Sequence, residues 1–454
     1  MSTKKISPPE EQCQPKRILR IVPKKSNATA PAPVAPPSST ELKFIDLFCG
    51  IGGFHQALHQ MGAKCVLACD IDKDCRKVYQ DNYGIEPVEN VKTIDPLTIP
   101  DFDVLCGGFP CQAFSNGGKK KCFDDERGLL FDEIIRIAKV KKPRFMFLEN
   151  VKHILKVSNG EVIEYIKHKI ADTGYKLQIF QISPHNYGIP QQRERVYFVC
   201  VRNDIAMASD ITLPPTTKCT GGLGPTFQKF LDKKQNINSK YFIKGDILNV
   251  LEAWEKIIKQ MEVGEKMSPT IMIHDAFVTY SQSELDAFPD WKSDYIIKNR
   301  PIIDKYRTIF STWYETHKEL LKKREIYGKL EWQTGPIQKN DSIFNHFIQI
   351  RQSGIRVKKS HYFPTLVAIS QIPIYGMEKR YITPRECARL QSFPDSFKLS
   401  DHDKKSYKQL GNSVNVDNVY TVISSSLLHY GFQLPVRNTS LHDDNRIIAQ
   451  NVNA

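Results

Sequence analysis

A proline–cysteine pair is the first feature whose residues could do covalent chemistry. Cys111 follows Pro110 in Gly107-Gly-Phe-Pro-Cys-Gln-Ala-Phe-Ser115, directly after a predicted strand. The proline makes a rigid turn at the carboxyl end of the strand, where parallel sheets bind ligands. An exposed thiolate there is a nucleophile, whereas a buried cysteine is inert. Cys111 is therefore a candidate nucleophile, and a core thiol is the alternative when the segment is taken alone.

An acidic residue and two arginines follow at the ends of later predicted strands. Glu149 begins Glu-Asn-Val, and a carboxylic acid beside a thiolate could protonate or hydrogen-bond a ring nitrogen. The segment Gln191-Gln-Arg-Glu-Arg195 opens another predicted strand, whose alternation places Gln191, Arg193 and Arg195 on one face. Two arginines there could hold a phosphate and order the site. A helix cap or an exposed strand edge is the alternative for each segment alone.

A glycine-rich turn and a carboxylate predict a nucleoside-binding edge. In Phe44-Ile-Asp-Leu-Phe-Cys-Gly-Ile-Gly-Gly-Phe54 a strand runs into glycines and then a helix, so a ligand can approach the backbone. Asp70 ends the second predicted strand, where a carboxylate can accept both hydroxyls of a ribose. The spacing is not GxGxxG, which argues against NAD or FAD. We expect an adenosine-containing cofactor without a pyrophosphate, and a purely structural turn is the alternative.

The elements that must position these residues alternate between strands and helices. Apolar segments predict strands over residues 43–48, 64–69, 103–106, 145–148 and 195–201, with helices between them that include 129–140. This pattern predicts an α/β, doubly wound, mainly parallel sheet. The alternation fades after about residue 205 and returns near Tyr381, and the intervening stretch contains Trp254, Trp291, Trp313 and Trp332. We predict that this stretch is an inserted, smaller domain.

The composition limits the class of protein and its partners. The chain has 454 residues, of which 41% are hydrophobic and 25% charged, as in ordinary globular proteins of two or three domains. The net charge of +14 favours a polyanionic partner. No apolar run is long enough to cross a bilayer, and no signal peptide is recognisable, so we expect no membrane association. The eleven cysteines lack zinc-finger spacing, so we expect free thiols and no metal.

Taken together, these segments resemble the cytosine-5 DNA methyltransferase family. Asp46-Leu-Phe-Cys-Gly-X-Gly-Gly, Pro-Cys-Gln, Glu-Asn-Val and Gln-X-Arg-X-Arg occur in the family's order. The resemblance covers roughly residues 43–203 and 376–430. It includes Thr383-Pro-Arg-Glu-Cys-Ala-Arg-Leu-Gln-Ser-Phe-Pro394, similar to a helix that supports the recognition domain, and Gly411-Asn-Ser-Val414, similar to a late cofactor-binding segment. Phe363-Pro-Thr-Leu-Val-Ala368 resembles the stretch that closes the target-recognition domain.

The resemblance implies an enzyme that transfers a methyl group from S-adenosylmethionine to C5 of a cytosine flipped out of double-stranded DNA. Cys111 would add to C6, Glu149 would hold the ring N3, and loss of the C5 proton would expel the cysteine. Gln191, Arg193 and Arg195 complete the implied catalytic set. The implied cofactor pocket consists of Phe48, Ile51, Gly53, Asp70, Ile71, Asn90, Gly108, Pro110, Leu130, Asn412 and Val414.

The resemblance also implies the S-adenosylmethionine-dependent methyltransferase fold with an inserted target-recognition domain. We predict a disordered Pro-rich basic tail over 1–41, a catalytic domain over 42–205, a target-recognition domain over 206–375, a return to the catalytic domain over 376–435 and a frayed tail over 436–454. We expect a monomer, placed in the cytoplasm or nucleoid of a prokaryote, or otherwise in a nucleus or viral factory.

DNA contacts are expected from two basic segments. Lys119, Lys120 and Lys121 follow the nucleophile in a glycine-rich loop suited to a phosphate backbone. Arg351 and Arg356, in Ile350-Arg-Gln-Ser-Gly-Ile-Arg-Val357, could reach base edges, and a solvated polar strand is the alternative.

The cofactor segments depart from the family's usual pattern at three positions. Asp70 stands where glutamate is frequent, Ile71 where a bulkier side chain is frequent, and Asn90 where aspartate commonly meets the adenine amino group. We expect altered cofactor affinity rather than lost activity.

The sequence leaves two alternatives to DNA methylation as the function. A tRNA cytosine-5 methyltransferase of the same superfamily is the first alternative, but Pro-Cys-Gln-Ala-Phe-Ser and the long insert favour DNA. A non-catalytic DNA-binding protein is the second, and the presence of both Cys111 and Glu149 argues against it.

We predict that Cys111→Ser abolishes methyl transfer while S-adenosylmethionine still binds, because the hydroxyl is a far weaker nucleophile than a thiolate. A duplex containing 5-fluorocytosine should form a covalent adduct with the wild-type protein alone. An adduct with the serine variant, or undiminished turnover, would remove Cys111 from the nucleophile's role.

Overall fold

The structure is a computed structural model, and it describes residues 41–110, 129–217, 225–267, 270–367 and 371–437. Several predictions concern residues outside these ranges. They are the nucleophile Cys111, the three lysines 119–121 and nearly all of the two predicted tails, 1–41 and 436–454.

The strands and helices are numbered in chain order. The strands are β1 Lys43–Leu47, β2 Lys64–Cys69, β3 Val104–Gly107, β4 Phe145–Val151, β5 Tyr175–Ile182, β6 Arg195–Arg202, β7 Ile271–Met272, β8 Lys329–Gln333, β9 Phe347–Arg351, β10 Gly354–Lys358, β11 Ile374–Tyr375 and β12 Arg380–Tyr381. The helices are α1 Gly53–His59, α2 Lys73–Tyr83, α3 Leu129–Lys141, α4 Glu161–Asp172, α5 Pro225–Gln228, α6 Asp246–Ile258, α7 Gln282–Ala287, α8 Asp290–Lys305, α9 Arg307–Lys322, α10 Pro384–Leu390, α11 Asp403–Asn412 and α12 Val416–His429.

The chain divides into two compact units. The first unit contains the described residues of 1–189, 194–218 and 413–454, and the second contains those of 190–193 and 219–412. The first unit is built on a sheet with strand order β2-β1-β3-β4-β6-β5. β2, β1, β3 and β4 pair in parallel, and β6 is antiparallel to both of its neighbours. The predicted α/β class with a mainly parallel sheet is confirmed.

Local sequence signals explain where the elements of the first unit begin and end. β4 is a nearly continuous apolar run whose residues from Phe145 to Asn150 are buried, as expected for a central strand covered on both faces. The Asp72 side chain accepts hydrogen bonds from the backbone of Asp74 and Cys75 and so caps α2. Gly84, with a φ of 68°, ends the same helix.

The sequence analysis did not predict α4 or β5. β5 lies at the edge of the sheet and pairs only with β6, so its side chains are only partly buried. Its sequence Tyr-Lys-Leu-Gln-Ile-Phe-Gln-Ile therefore lacks the continuous apolar character of the central strands. The polar residues spread along β5 removed the apolar signal on which the other strands, including edge strand β2, were predicted.

The last helix of the first unit packs against its first. α12 contacts α1, and Arg437 donates a hydrogen bond from Nε to Oε1 of Gln60 at 2.9 Å. The same arginine is paired with the buried carboxylate of Asp417 at 2.6 Å. A long-range contact of this kind fixes the carboxyl-terminal helix beside the beginning of the fold.

The second unit is a mixed sheet with a tryptophan-rich core. Its strand order is β12-β11-β9-β10-β8-β7, in which only the β10–β8 pairing is parallel. Trp254, Trp313 and Trp332 are buried in its core. The indole of Trp254 donates to the Tyr327 carbonyl at 2.8 Å, and that of Trp313 donates to the Ala253 carbonyl at 2.7 Å. Buried indoles thus keep their hydrogen bonds.

The boundaries of the two compact units differ from those of the predicted domains. The predicted return to the catalytic domain begins at residue 376, whereas the second unit extends to Asn412 and also contains 190–193. The reason is that β12 completes the sheet of the second unit. Arg380 of β12 also forms a fully buried ion pair with Glu386 of α10, which ties that helix to the sheet.

We predict that Glu386→Ala lowers the free energy of unfolding by about 3 to 5 kcal/mol, because it leaves a buried charge without its partner. The Glu386 carboxylate accepts two hydrogen bonds from Arg380 at 2.9 Å, one from the Thr383 backbone at 2.7 Å and one from the Asp232 backbone at 2.9 Å. The measurement is urea unfolding of the full chain.

The matched control is Glu378→Ala. Glu378 also pairs with Arg380, at 2.6 Å, but its side chain is 22% exposed. Its removal should cost less than about 1 kcal/mol. Equal losses in the two variants would contradict the role given to the buried pair.

Candidate active site

The glycine-rich turn after β1 is shaped by close packing within the first unit. Gly50 and Gly52 have φ values of 54° and 90°, which L side chains rarely adopt. A Cβ at Gly52 would collide with the ring of Tyr83, and one at Gly53 would lie 2.5 Å from Cγ2 of Val414. Phe48 also has a positive φ, of 55°, an unfavourable conformation that is typical of functional turns. Gly52 and Gly53 are thus required by packing inside the first unit, while Gly50 has open space at its Cβ position, where a ligand can approach the backbone.

Asp70 is fixed to this turn by two backbone hydrogen bonds. Its Oδ2 accepts from the Gly50 N–H at 2.7 Å, and its Oδ1 accepts from the Asp72 N–H at 2.8 Å. Burial raises the pKa of this carboxyl, and the two hydrogen bonds oppose that effect. A carboxylate oxygen can accept more than one hydrogen bond, so both oxygens can still receive ribose hydroxyls.

Ile71 and Asn90, two of the three departures from the family's pattern, have distinct surroundings. Ile71 follows Asp70 and is 69% exposed, which is unusual for an aliphatic side chain. The Asn90 side-chain oxygen accepts from the Lys92 N–H at 3.0 Å and caps the turn Val91–Thr93. The oxygen that we expected to meet an adenine amino group is thus already used once within the protein.

The structure brings several of the predicted cofactor residues to the carboxyl edge of the first sheet. A Cβ at Gly108 would lie 3.5 Å from Oε2 of Glu149 and 4.0 Å from Cγ1 of Val414, so this glycine faces both the acid and the late segment. Ile51 is buried, while Phe48, Pro110 and Leu130 are partly buried. Asn412 belongs to the second unit. Gly53 is packed against Val414, whereas a Cβ at Gly50 would meet no atom of the described residues within 4 Å, which leaves room for an adenosine-type ligand there.

Glu149 and Arg195 form an ion pair at the end of neighbouring strands. β4 and β6 are antiparallel, with Val151 opposite Arg195, so the two side chains meet at one end of the sheet. Arg195 Nε lies 3.0 Å from Glu149 Oε1, and the two side chains are only 13% and 11% exposed. A partly buried pair of this kind fixes the carboxylate in place.

Asn150 links this acid to the chain that leads to the predicted nucleophile. Its side-chain amide donates to the Phe109 carbonyl at 2.9 Å, and its oxygen accepts from the Val151 N–H at 2.8 Å. Phe109 is two residues before Cys111. The amide therefore holds the exit of β3 against the end of β4.

We had expected Gln191, Arg193 and Arg195 to lie on one face of a strand, and the structure contradicts this. β6 begins only at Arg195, and residues 190–193 belong to the second unit. There Arg193 is 2% exposed and donates to the carbonyls of Leu366 and Gly411 at 2.7 and 2.9 Å. Gln191 is fully buried, and its backbone bridges to Phe363. A buried guanidinium that binds carbonyls is not placed to hold a phosphate.

The two predicted base-reading arginines differ in their surroundings. Arg356 forms an ion pair through Nε with Glu331 of the adjacent strand, and that carboxylate is 9% exposed. Arg351 ends β9, is partly buried, and forms no ion pair with another described residue. Burial and the nearby Arg356 lower the pKa of Arg351. Arg356 is thus engaged within the sheet, whereas Arg351 is available to a ligand.

A buried polar cluster beneath the glycine-rich turn was missed by the sequence analysis. His55 Nδ1 lies 2.6 Å from the Tyr79 hydroxyl, and the His55 ring stacks on Tyr83 with a centroid distance of 3.8 Å. The Tyr83 hydroxyl donates to the Gly52 carbonyl at 2.9 Å. Asp46 in β1 is fully buried nearby. An acidic residue inside an apolar strand was the signal that could have revealed this cluster.

Burial has the largest effect on the pKa values of Asp46 and His55 in this cluster. It raises the pKa of Asp46 from 3.8 to about 8, with the Asp70 charge as a further, smaller contribution. It also lowers the pKa of His55 from 6.5 to about 3. Near pH 7, both side chains are therefore neutral in the folded protein.

The sheet order, the bare glycine turn and the carboxylate after β2 define the fold and cofactor edge of an S-adenosylmethionine-dependent methyltransferase. A sequence model of the C-5 cytosine-specific DNA methylases matches residues 42–427. The chain therefore belongs to the C-5 cytosine-specific DNA methylase family. It is a DNA (cytosine-5) methyltransferase that uses S-adenosylmethionine.

Known proteins resemble the chain over most of its length. The Type II methyltransferase M.HhaI of Haemophilus parahaemolyticus is 31% identical over 378 residues, which cover 83% of this chain and 92% of that protein. The Type II methyltransferase M.HgiCI of Herpetosiphon aurantiacus is also 31% identical, over 84% of this chain and 97% of its own. The solved structure of the Entamoeba histolytica methyltransferase EhMeth matches with a TM-score of 0.51 at 18% identity, over 87% of this chain and all of that one, and so supports the fold.

Within the described ranges, no helix combines the length and the apolar character needed to cross a membrane.

We predict that Asp46→Asn changes the pH dependence of stability. Between pH 4 and 8 the carboxyl is protonated in the folded protein and ionised in the unfolded chain, so the stability of the wild type falls as the pH rises through this window. The amide mimics the protonated acid and does not titrate. The stability of the variant relative to the wild type should therefore increase by about 1 kcal/mol per pH unit.

The measurement is urea unfolding of both proteins at pH 5, 6 and 7. The titration of His55 occurs in both proteins and cancels in the difference. A difference that does not change with pH would show that Asp46 ionises normally in the folded state.

Proposed function

We propose that the chain methylates C5 of a flipped-out cytosine in a specific double-stranded DNA sequence, through a covalent bond between Cys111 and C6. The observation that carries this proposal is the Glu149–Arg195 pair, held 3.0 Å apart at the sheet edge that leads to Cys111. The match to a family of DNA methylases does not favour the tRNA alternative.

Glu149 acts on the target base in this proposal. Position C5 of cytosine is not nucleophilic until a nucleophile has added to C6, and that addition places electron density on N3. The Glu149 carboxyl hydrogen-bonds or protonates N3 and so favours the attack of the Cys111 thiolate. Arg195 holds Oε1 of the same carboxyl and thereby orients it towards the ring. C5 would then take the methyl group that S-adenosylmethionine supplies. Transfer of the C5 proton to a base restores the C5–C6 double bond and expels the thiolate.

The cofactor edge would hold S-adenosylmethionine through the turn and the carboxylate that follows β2. S-adenosylmethionine, when bound, supplies the methyl group from its sulfonium centre. Asp70 accepts the ribose hydroxyls, and exposed Ile71 covers a face of the adenine. Phe48, Ile51, Gly53, Asn90, Gly108, Pro110, Leu130, Asn412 and Val414 complete the proposed pocket.

Gln191 and Arg193 have a positioning function in this proposal. Arg193 joins the carbonyls of Leu366 and Gly411, which are 45 residues apart in the chain, and its burial excludes direct contact with solvent-borne substrate. The two residues therefore act on catalysis through the second unit, and Cys111, Glu149 and Arg195 act on the base.

DNA binding is divided between the catalytic loop and the second unit. Lys119, Lys120 and Lys121 contact phosphates, which positions the duplex without reading its sequence. Arg351 reads a base, and Arg356 orders the strand beside it through its pair with Glu331. We further propose a monomeric enzyme with the modification role that the names of its Type II relatives indicate.

We predict that Glu149→Gln slows single-turnover methylation by about 10²-fold or more while DNA affinity is kept, because the variant loses an acid–base group. The matched control is Glu194→Gln, since Glu194 is 42% exposed and pairs with Lys152 instead. Methylation is followed with labelled cofactor, and bisulfite sequencing locates the modified cytosines. A normal rate in Glu149→Gln, or an equal loss in both variants, would refute the assigned role.

A further inference from the structure

Two chain segments, 70–71 and 88–90, lie side by side at the carboxyl end of β2. Val88 forms a parallel bridge with Cys69. The Val88 carbonyl accepts from the Asp70 N–H at 3.0 Å, and the Val88 N–H donates to the Ala68 carbonyl at 2.8 Å. Asp70 and Asn90, two residues of the proposed cofactor pocket, therefore belong to neighbouring segments.

The side chain of Arg76 joins these two segments. It lies in the first turn of α2 and is only 17% exposed. Its Nη1 donates to the carbonyls of Asp70 and Ile71, at 3.0 Å each, and its Nη2 donates to Oε2 of Glu89 at 3.2 Å. One planar guanidinium thus holds both segments through donors whose geometry is fixed.

The stability of α2 does not explain why an arginine stands at this position. The helix begins at Lys73, and a positive charge in the first turn opposes the helix dipole. Asp72 and Gly84 already cap the two ends of the helix. The three acceptors of Arg76 lie outside α2, in the segments on either side of it. The contacts of Arg76 therefore concern the edge of the sheet rather than the helix.

Arg76 also completes the fixation of Asp70. The Asp70 carboxylate accepts from the backbone of Gly50 and Asp72, and Arg76 holds the carbonyl group of the same residue. Main chain and side chain of Asp70 are thus fixed by separate hydrogen bonds. Burial raises the pKa of Asp70, and the guanidinium charge opposes this effect. An ionised and immobile carboxylate is the stronger acceptor for hydroxyl groups.

We propose that Arg76 is a positioning residue for the cofactor, which holds segments 70–71 and 88–90 together and so keeps Asp70 in the orientation that accepts the ribose hydroxyls. This inference rests on the proposed cofactor pocket, because it requires that Asp70 binds the ribose. The effect of Arg76 on cofactor affinity passes through Asp70.

The experiment measures calorimetric binding of two ligands to the full chain without DNA. They are S-adenosylhomocysteine, which is the cofactor without its methyl group, and its 2′-deoxy analogue. The wild type should bind the deoxy analogue about tenfold more weakly, because a hydrogen bond to a charged group is lost. In Arg76→Met, S-adenosylhomocysteine should bind about tenfold more weakly and the ratio between the two ligands should fall below about threefold. A purely structural role would weaken both ligands equally and leave the ratio unchanged.

Arg76→Lys keeps the charge but not the planar fork, so it should recover part of the ratio. This variant decides the question if urea unfolding shows that Arg76→Met does not fold.

Lys77→Met is the matched control, because Lys77 is the next residue of α2, is 71% exposed and pairs with Asp81 within the helix. It should bind both ligands as the wild type does. Glu89→Gln tests the ion pair alone. Glu89 is 68% exposed, so this change should alter either affinity less than about twofold.

The proposal is overturned if the wild type distinguishes the two ligands and the Arg76 variants do so to the same extent. Failure of the proposed cofactor pocket would look different, because the wild type itself would then bind both ligands equally. That result would also overturn the proposal, since Arg76 would have no ribose contact to position.

Discussion

The contact between Gly53 and Val414 is the constraint on which the rest of the structure depends. Because a Cβ at Gly53 would lie 2.5 Å from the Val414 side chain, the first turn of the fold can form only against a late segment of the chain. α12 follows that segment and packs on α1. Everything between residues 219 and 412 must therefore leave the first unit and come back. In this order of segments along the chain, an inserted second unit follows from the packing of Val414 against Gly53.

Buried acidic residues are stabilised differently in the two units. In the second unit, Glu386 and Arg380 keep their charges and satisfy each other through two hydrogen bonds. Beneath the glycine-rich turn, Asp46 has no arginine partner among the described residues, and burial instead keeps it protonated near neutral pH. Glu149 lies between these cases, since its ion pair with Arg195 leaves a small exposed fraction at the sheet edge. The three acids thus differ both in their exposure and in the partner that stabilises them.

The sequence was sufficient to predict those strands that a short apolar segment marks by itself. β2 was predicted with its observed bounds, and β1, β3, β4 and β6 differed by a few residues, because each of these strands is mostly apolar, edge strand β2 included. Edge strand β5 has no such segment. The proposed cofactor residues were also predicted from local motifs, such as Asp70 after β2. Contacts between distant residues were not accessible in this way. The partner of Arg356 is Glu331, and the partners of Arg193 are carbonyls more than 170 residues away. No spacing rule could show that these guanidiniums are already engaged.

The packing of α12 on α1 also bears on the order in which a gene can encode the segments of this protein. Arg437 reaches Gln60, and Pro435 lies beside Gly62, so the end of the described chain is next to the beginning of β2. A circularly permuted chain that starts at Ser413 and joins α12 to β1 through a short linker would keep the Gly53–Val414 contact. The second unit would then follow the first, apart from residues 190–193, as an ordinary carboxyl-terminal domain. The same two units could thus be encoded in a different linear order.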